Sequence, residues 1–298
     1  MQPPFPDILF PVFAAACYAF GVIAVKCASK NKTISGMSLL AMNNLLSGAV
    51  FIPQIFFAPT LPEISIIWQP LLAGVFCAAG NLATFICAER GEVSLMTPIM
   101  GVKILFVLMF SNIMLHAKLP SSIIFAGTMC CAAVFLMGKS KGKPGRQKFR
   151  FTVFLALCAC ASYAACDVLM QKYAPNFSTR SMIALTTVAM PVSVIPFIPK
   201  LITELKKSNA ETVAFGAISS IMLVGESFLM FISITGKVGA AMSNILFNTR
   251  GIIAIALIYA LGAKSMKLRE LDGNSALRRA LGAIMILTAI FAALYWRQ

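Results

Sequence analysis

Four ionisable side chains lie well inside long apolar stretches of the sequence: Lys103, Asp167, Glu226 and Arg250. A charged side chain at the centre of a lipid bilayer costs roughly 3 kcal/mol on insertion scales, so such residues face protein or water rather than lipid. Two cations and two carboxylates at this depth could neutralise one another or bind a polar solute. The simplest neutralisation pairs Glu226 with Arg250 or with Lys103.

Polar residues accompany Arg250 in the apolar stretch from Gly236 to Leu261. At about 100° per residue around a helix, Ser243 and Arg250 lie about 20° apart, with Asn244 and Asn248 on one flank. One side of this helix is therefore polar, and we expect it to face protein or water. The planar guanidinium of an arginine can form two parallel hydrogen bonds with a carboxylate or phosphate, whereas a lysine supplies a point charge without that fork.

These residues leave two interpretations open. In the first, they form internal ion pairs that only fix the positions of helices. In the second, they line a central cavity that binds a small polar solute. With both carboxylates nearby the cavity would be nearly neutral and suit a zwitterion such as an amino acid, whereas without them it would suit an organic or phosphorylated anion. The candidate substrate-binding residues are Arg250, Lys103, Glu226, Asn244, Asn248, Ser243, Asp167, Asn81, Tyr18 and Tyr163.

The elements that must position these side chains follow from composition. Of the 298 residues, 59% are hydrophobic and 12% are charged, against about 25% charged residues in soluble domains. Apolar stretches of about twenty residues recur along the chain, which indicates an all-α integral membrane protein, since a β-barrel would show short alternating strands. The ten predicted transmembrane helices are 8–28, 37–57, 66–88, 92–114, 121–138, 151–171, 181–200, 212–234, 238–262 and 278–296.

The two halves of the chain resemble each other at a shift of about 145 residues. Tyr18 then corresponds to Tyr163, and Gly80, Gly91 and Val93 correspond to glycine or valine in the second half. Each half has five predicted helices, an odd number, so the second must enter the membrane from the opposite side. This predicts two inverted five-helix repeats, 1–138 and 151–298, joined by a basic linker at 139–150. Secondary transporters with such repeats place their sites near the membrane midplane.

The net charge of +15 is explained by the membrane rather than by nucleic acid. Loops after the odd-numbered helices, together with the helix ends that border them, carry 18 Lys and Arg residues, and the remaining loops and termini carry 5. Since basic loops stay in the cytoplasm, we expect the 139–150 linker to be cytoplasmic and both termini to lie outside. No nucleic-acid partner is expected.

In architecture the sequence resembles the drug/metabolite transporter superfamily, of the EamA type. The motifs that carry the resemblance are Tyr18 to Lys26, Gly91 to Lys103 and Gly236 to Arg250. The turn that often follows the fourth helix of each half in this family, Gly-Glu-Arg-Leu, is degenerate here. The resemblance implies passive or ion-coupled movement of small metabolites. It also implies cytoplasmic termini, whereas the count of basic residues predicts the opposite orientation.

Sequence motifs of enzymes are absent from the chain. It has no G-x-x-x-x-G-K-[ST], H-E-x-x-H or G-x-S-x-G motif and no pair of Cys-x-x-Cys motifs. We therefore expect no catalytic residue, metal or cofactor. The sequence predicts a monomeric secondary transporter in a bacterial plasma membrane, which moves a small polar metabolite with an acidic group by alternating access. A membrane-embedded lipid-modifying enzyme and a non-transporting assembly or receptor protein are the alternatives.

The orientation can be tested by labelling. A single cysteine placed in the 139–150 linker of a cysteine-free variant should resist an impermeant thiol reagent in intact cells and react after the membrane is opened. Reaction in intact cells would show that the linker is outside.

Overall fold

A computed structural model of the chain describes residues 5–31, 33–59, 62–90, 96, 99–118, 120–137, 146–260 and 273–295. Within these ranges the chain is helical and contains no β-strand. Most of the 139–150 linker lies outside the described residues. The helices are α1 (Phe5–Ala28), α2 (Gly36–Phe51), α3 (Trp68–Arg90), α4 (Lys103–Leu115), α5 (Ser121–Met137), α6 (Arg146–Tyr173), α7 (Thr179–Thr187), α8 (Ala189–Val194), α9 (Ile198–Lys207), α10 (Ala210–Thr235), α11 (Gly239–Phe247), α12 (Arg250–Ala260) and α13 (Gly273–Tyr295).

Several helices begin at a polar capping residue. The Ser178 side chain accepts the backbone N–H of Ser181 at 3.1 Å, and the Asn209 side chain accepts that of Thr212 at 3.0 Å. Ser35 caps α2 in the same way. These side chains satisfy N–H groups that lack an intrahelical partner, so they fix where α2, α7 and α10 start.

Six helical stretches of the described chain are long and apolar enough to cross a membrane, which confirms the prediction of an all-α membrane protein. The stretches are Pro6–Ala28, Gly36–Phe57, Ile64–Cys87, Phe149–Asn176, Thr179–Lys207 and Ala210–Thr235. Three shorter apolar helices accompany them: Lys103–Leu115, Ser121–Ala133 and Leu281–Ala293. The total of ten spans remains a prediction.

Two of the predicted spans are interrupted rather than continuous. The span 238–262 divides into α11 and α12, and at the break the N–H groups of Asn248 and Thr249 bond to carbonyls three residues back, at 3.2 and 3.1 Å. This is the tighter 3₁₀ pattern. Over 181–200 the helix divides into α7, α8 and a 3₁₀ turn at Ile195–Phe197. Pro191 and Pro196 lie in that region, and a proline removes a backbone donor and crowds the preceding turn.

The span predicted at 92–114 is helical as α4 only from Lys103 onward. Gly101 and Val102 form a turn, and the Val102 N–H bonds to the carbonyl of Ile99 at 2.9 Å. Residues 92–95, 97 and 98 lie outside the described part of the chain. The turn at 101–102 and the break at 248–249 therefore come shortly before a basic residue in each half.

Several helices of each half pack mainly against helices of the other half. The first helix of the first half, α1, packs along α10, and α3 packs along α6. At the 145-residue shift α1 corresponds to α6 and α3 to α10, so these two interfaces are equivalents. Likewise α4 packs against α6 while α11 and α12 pack against α1. The centre of the molecule is therefore built from both halves together.

Candidate functional site

Both intramembrane cations begin a helical segment. Lys103 is the first residue of α4, and Arg250 is the first residue of α12. Interrupted helices at membrane depth occur where they are covered by protein or face a cavity, and transporters use their ends to bind substrate groups. The N-terminal end of a helix favours an anion, so both positions suit negative charge.

Lys103 is neutralised by Asp167. Its Nζ lies 2.8 Å from the Asp167 Oδ2, and the two side chains are 16% and 7% exposed. Asn244 donates from its Nδ2 to the same oxygen at 2.7 Å. The predicted pairing of Lys103 with Glu226 is wrong, because α4 packs against α6, which carries Asp167, while Glu226 lies on α10.

Arg250 is held by aromatic rings rather than by a carboxylate. Its Cζ lies 4.8 Å from the ring centroid of Tyr18 and 4.6 Å from that of Phe247. The two rings meet edge to face, with their centroids 5.6 Å apart. Among the described residues the guanidinium has no ion pair and no hydrogen bond, so the predicted pairing with Glu226 is not formed. Cation–π contacts with the two rings stabilise the guanidinium charge. Its N–H groups have no acceptor among the described residues.

The two tyrosines stand at equivalent positions. Lys103 Nζ lies 5.5 Å from the ring centroid of Tyr163, as Arg250 lies near Tyr18. Tyr18 and Tyr163 correspond at the 145-residue shift, and each contacts a cation of the opposite half. The contacts between tyrosines and cations therefore join the two halves, as the main helix contacts do.

A chain of hydrogen bonds orients Tyr163. Its hydroxyl donates to the Asn81 Oδ1 at 2.7 Å and accepts from the Thr84 hydroxyl at 3.2 Å. The Asn81 Nδ2 donates to the Asn44 Oδ1 at 3.1 Å, and the Asn44 Nδ2 donates to the carbonyl of Met190 at 3.4 Å. The chain connects α3, α2, α6 and α8 and fixes the ring beside Lys103.

Glu226 takes the place of Asn81 in the second half. Its Oε2 accepts a hydrogen bond from the Ser227 hydroxyl at 3.2 Å. Within the described ranges no cation lies within 4.0 Å of this carboxylate, although Lys103 and Arg250 are close enough to act on it electrostatically. Glu226 is therefore a carboxylate without an ion pair among the described residues, and it feels the charges of both Lys103 and Arg250.

Packing beside Glu226 is looser than beside Asn81. A Cβ added to Gly80, next to Asn81, would lie 2.8 Å from the ring of Tyr163. A Cβ added to Gly225, next to Glu226, would meet only the Cys17 sulfur, at 3.9 Å. The α1–α10 interface thus leaves room where the equivalent α3–α6 interface is closed.

The segment α11 is fastened to α6 by two side chains one turn apart. Gln171 accepts the backbone N–H of Ala240 at 2.8 Å, and Asp167 accepts the side chain of Asn244. The close approach requires glycine at position 239, because φ is 77° there and a Cβ would lie 3.0 Å from the Gln171 Nε2. In the sequence, only the polar type of Gln171 points to this contact.

Exposure separates the ten candidate residues into two groups. Four are buried and bonded to other helices: Asp167 and Asn244 to each other, Ser243 to Ser233 at 2.7 Å, and Asn248 to Cys130. The six that are partly accessible are Arg250, Lys103, Glu226, Asn81, Tyr18 and Tyr163. Only this second group could contact a solute in the described conformation, and that role remains a prediction for each member. Phe247, beside Arg250, was not among the candidates.

The ion pair can be tested by a double-mutant cycle. Lys103→Met should destabilise the protein by about 3–5 kcal/mol, because it leaves the Asp167 charge buried without a partner. Adding Asp167→Asn should recover most of that loss, because no charge then remains and Asn244 keeps an acceptor. The measurement is unfolding of purified variants in detergent. A double variant no more stable than Lys103→Met alone would show that the two residues are not coupled.

Comparisons with known proteins agree with this architecture. A crystal structure of another protein, with 14% sequence identity, superposes with a TM-score of 0.72 over 97% of this chain and 96% of that chain, and 29 solved chains match in all. At this identity the likeness concerns the fold alone. No curated protein sequence matches the chain.

Sequence comparison with protein families confirms the predicted resemblance. The model of the EamA-like transporter family matches residues 6–139, which span α1 to α5. This stretch coincides with the predicted first repeat to within a few residues. Residues 6–139, just under half of the chain, are therefore similar to the EamA-like transporter family, which is part of the drug/metabolite transporter superfamily.

Proposed function

We propose that the chain is a secondary transporter that moves a small polar metabolite bearing an acidic group by alternating access. The observation that carries the proposal is the environment of Arg250. It is a partly accessible guanidinium at an interrupted helix, held by Tyr18 and Phe247 and without a hydrogen bond to any described residue. The family match favours transport over the alternative of a lipid-modifying enzyme.

The proposal includes ten spans in two inverted five-helix repeats. Its support is the exchange of helix partners, in which α1 packs on α10 as α6 packs on α3. Two copies related by a two-fold axis would produce such equivalent interfaces. A pathway between the repeats needs no second chain, so we expect a monomer in the plasma membrane. The excess of basic residues on the loops after odd-numbered spans favours external termini.

The acidic group of the substrate would bind at Arg250. A guanidinium offers paired N–H groups that match a carboxylate or phosphate in plane. The start of α12 adds the positive end of a helix dipole to the same place. Glu226, near this cation but not paired with it, would receive a positively charged group of the same solute. A zwitterion would satisfy both charges, and an organic anion would satisfy Arg250 alone.

A ligand screen with one conservative variant tests the binding role of Arg250. Purified protein should be stabilised against thermal unfolding by a member of a panel of amino acids, organic acids, sugar phosphates and aromatic cations. Arg250→Lys should lower the affinity for that ligand by about tenfold or more, because the variant loses a charge-assisted hydrogen bond. Lys103→Arg is the matched comparison and should have a smaller effect, because the pair with Asp167 is kept. If Arg250→Lys folds and binds as tightly as the parent, Arg250 is only structural.

Glu226 is the candidate for ion coupling. A carboxylate at membrane depth without a permanent ion pair can take up and release a proton during the cycle. In proteoliposomes, Glu226→Gln should abolish accumulation of the screened substrate against its gradient and retain exchange down the gradient. Unchanged uphill transport in that variant would remove Glu226 from the coupling role.

A further inference from the structure

The charges at the centre of the molecule are divided unequally between two pairs. Lys103 and Asp167 are in direct contact at 2.8 Å, so their charges cancel locally. Arg250 and Glu226 form no ion pair among the described residues, and both are partly accessible. Of two cations at similar depth, only Arg250 therefore keeps a charge that is available to a solute.

Lys103 would be a second available cation if Asp167 were neutral. Its side chain is 16% exposed, and its Nζ lies 5.5 Å from the ring of Tyr163, which is itself partly accessible. The ammonium thus stands at the margin of the same group of residues that includes Arg250 and Glu226. The Asp167 carboxylate that neutralises Lys103 is only 7% exposed and accepts a hydrogen bond from Asn244.

Asp167 is therefore placed to influence a solute mainly by neutralising Lys103. We propose that Asp167 is a specificity-determining residue: by neutralising Lys103 it limits the site to one available cation, and so favours solutes with one acidic group over solutes with two. This inference rests on the proposed transport of an acidic solute. A site with one available cation balanced by Glu226 attracts a zwitterion or a monoanion, whereas a second free cation would attract a dianion.

The purely structural alternative is that Asp167 only joins α6 to α4 and α11. The two roles can be separated, because Asp167→Asn removes the charge and retains an oxygen that can accept from Lys103 and Asn244. A structural role would change stability and leave charge selectivity as it was. The proposed role changes the selectivity between solutes in a defined direction.

The experiment compares two pairs of solutes that differ by one carboxylate: lactate with malate, and alanine with aspartate. Binding constants are measured on the purified full chain for the parent, Asp167→Asn, the double variant Lys103→Met/Asp167→Asn, and Glu63→Gln as a control that removes an exposed carboxylate. In Asp167→Asn the affinity ratio should shift toward the more acidic solute by about tenfold or more, the effect of one additional unit charge in a partly shielded site. The double variant and Glu63→Gln should keep the ratio of the parent.

The outcomes distinguish a failure of the inference about Asp167 from a failure of the proposed function on which it rests. If none of the four solutes binds the parent in an Arg250-dependent way, the acidic-solute proposal fails and the inference fails with it. If the parent binds but folded Asp167→Asn keeps the parent's ratio, the inference alone is overturned. Should Asp167→Asn not fold, Lys103→Gln replaces it and must shift the ratio toward the less acidic solute. If neither single variant folds, the double variant decides, and any ratio other than the parent's overturns the inference.

Discussion

The carboxylate of Asp167 is the point on which the centre of the structure depends. An ionised carboxylate that is only 7% exposed inside a membrane bundle is strongly unfavourable unless partners replace its water. Here one oxygen accepts both the Lys103 ammonium and the Asn244 amide. Because these partners lie on α4 and α11, three helices must meet at one place.

Helices related by the 145-residue shift pack in corresponding ways, but the side chains they carry differ. Tyr18 and Tyr163 occupy equivalent positions and each contacts a cation. Yet Asn81 closes a neutral hydrogen-bond chain in one half, while Glu226 brings a charge into a looser interface in the other. A binding site that lay on a perfect two-fold axis would be the same from both sides. Here the difference between Asn81 and Glu226 places amides on one side of the candidate site and a charge on the other.

Sequence patterns predicted the helical membrane class and the family resemblance, because hydrophobic length is a property of single segments. They did not predict that Lys103 would pair with Asp167, since that depends on α4 packing against α6 rather than α10. Nor did they predict the breaks before Lys103 and Arg250. Apolar stretches of 23 and 25 residues look continuous in hydropathy, which does not report local 3₁₀ bonds such as those of Asn248 and Thr249 at the second break.

The exchange of helices between the halves also constrains how the protein assembles. The helix α1 finds its main partner, α10, about two hundred residues later in the chain, and α3 finds α6 only after the linker has been synthesised. The family match covers 6–139, but α1 and α3 of that stretch have their main packing partners in the second half. Insertion can therefore proceed helix by helix, whereas tertiary packing must wait for nearly the whole chain. The two halves of the chain therefore depend on each other for their packed cores.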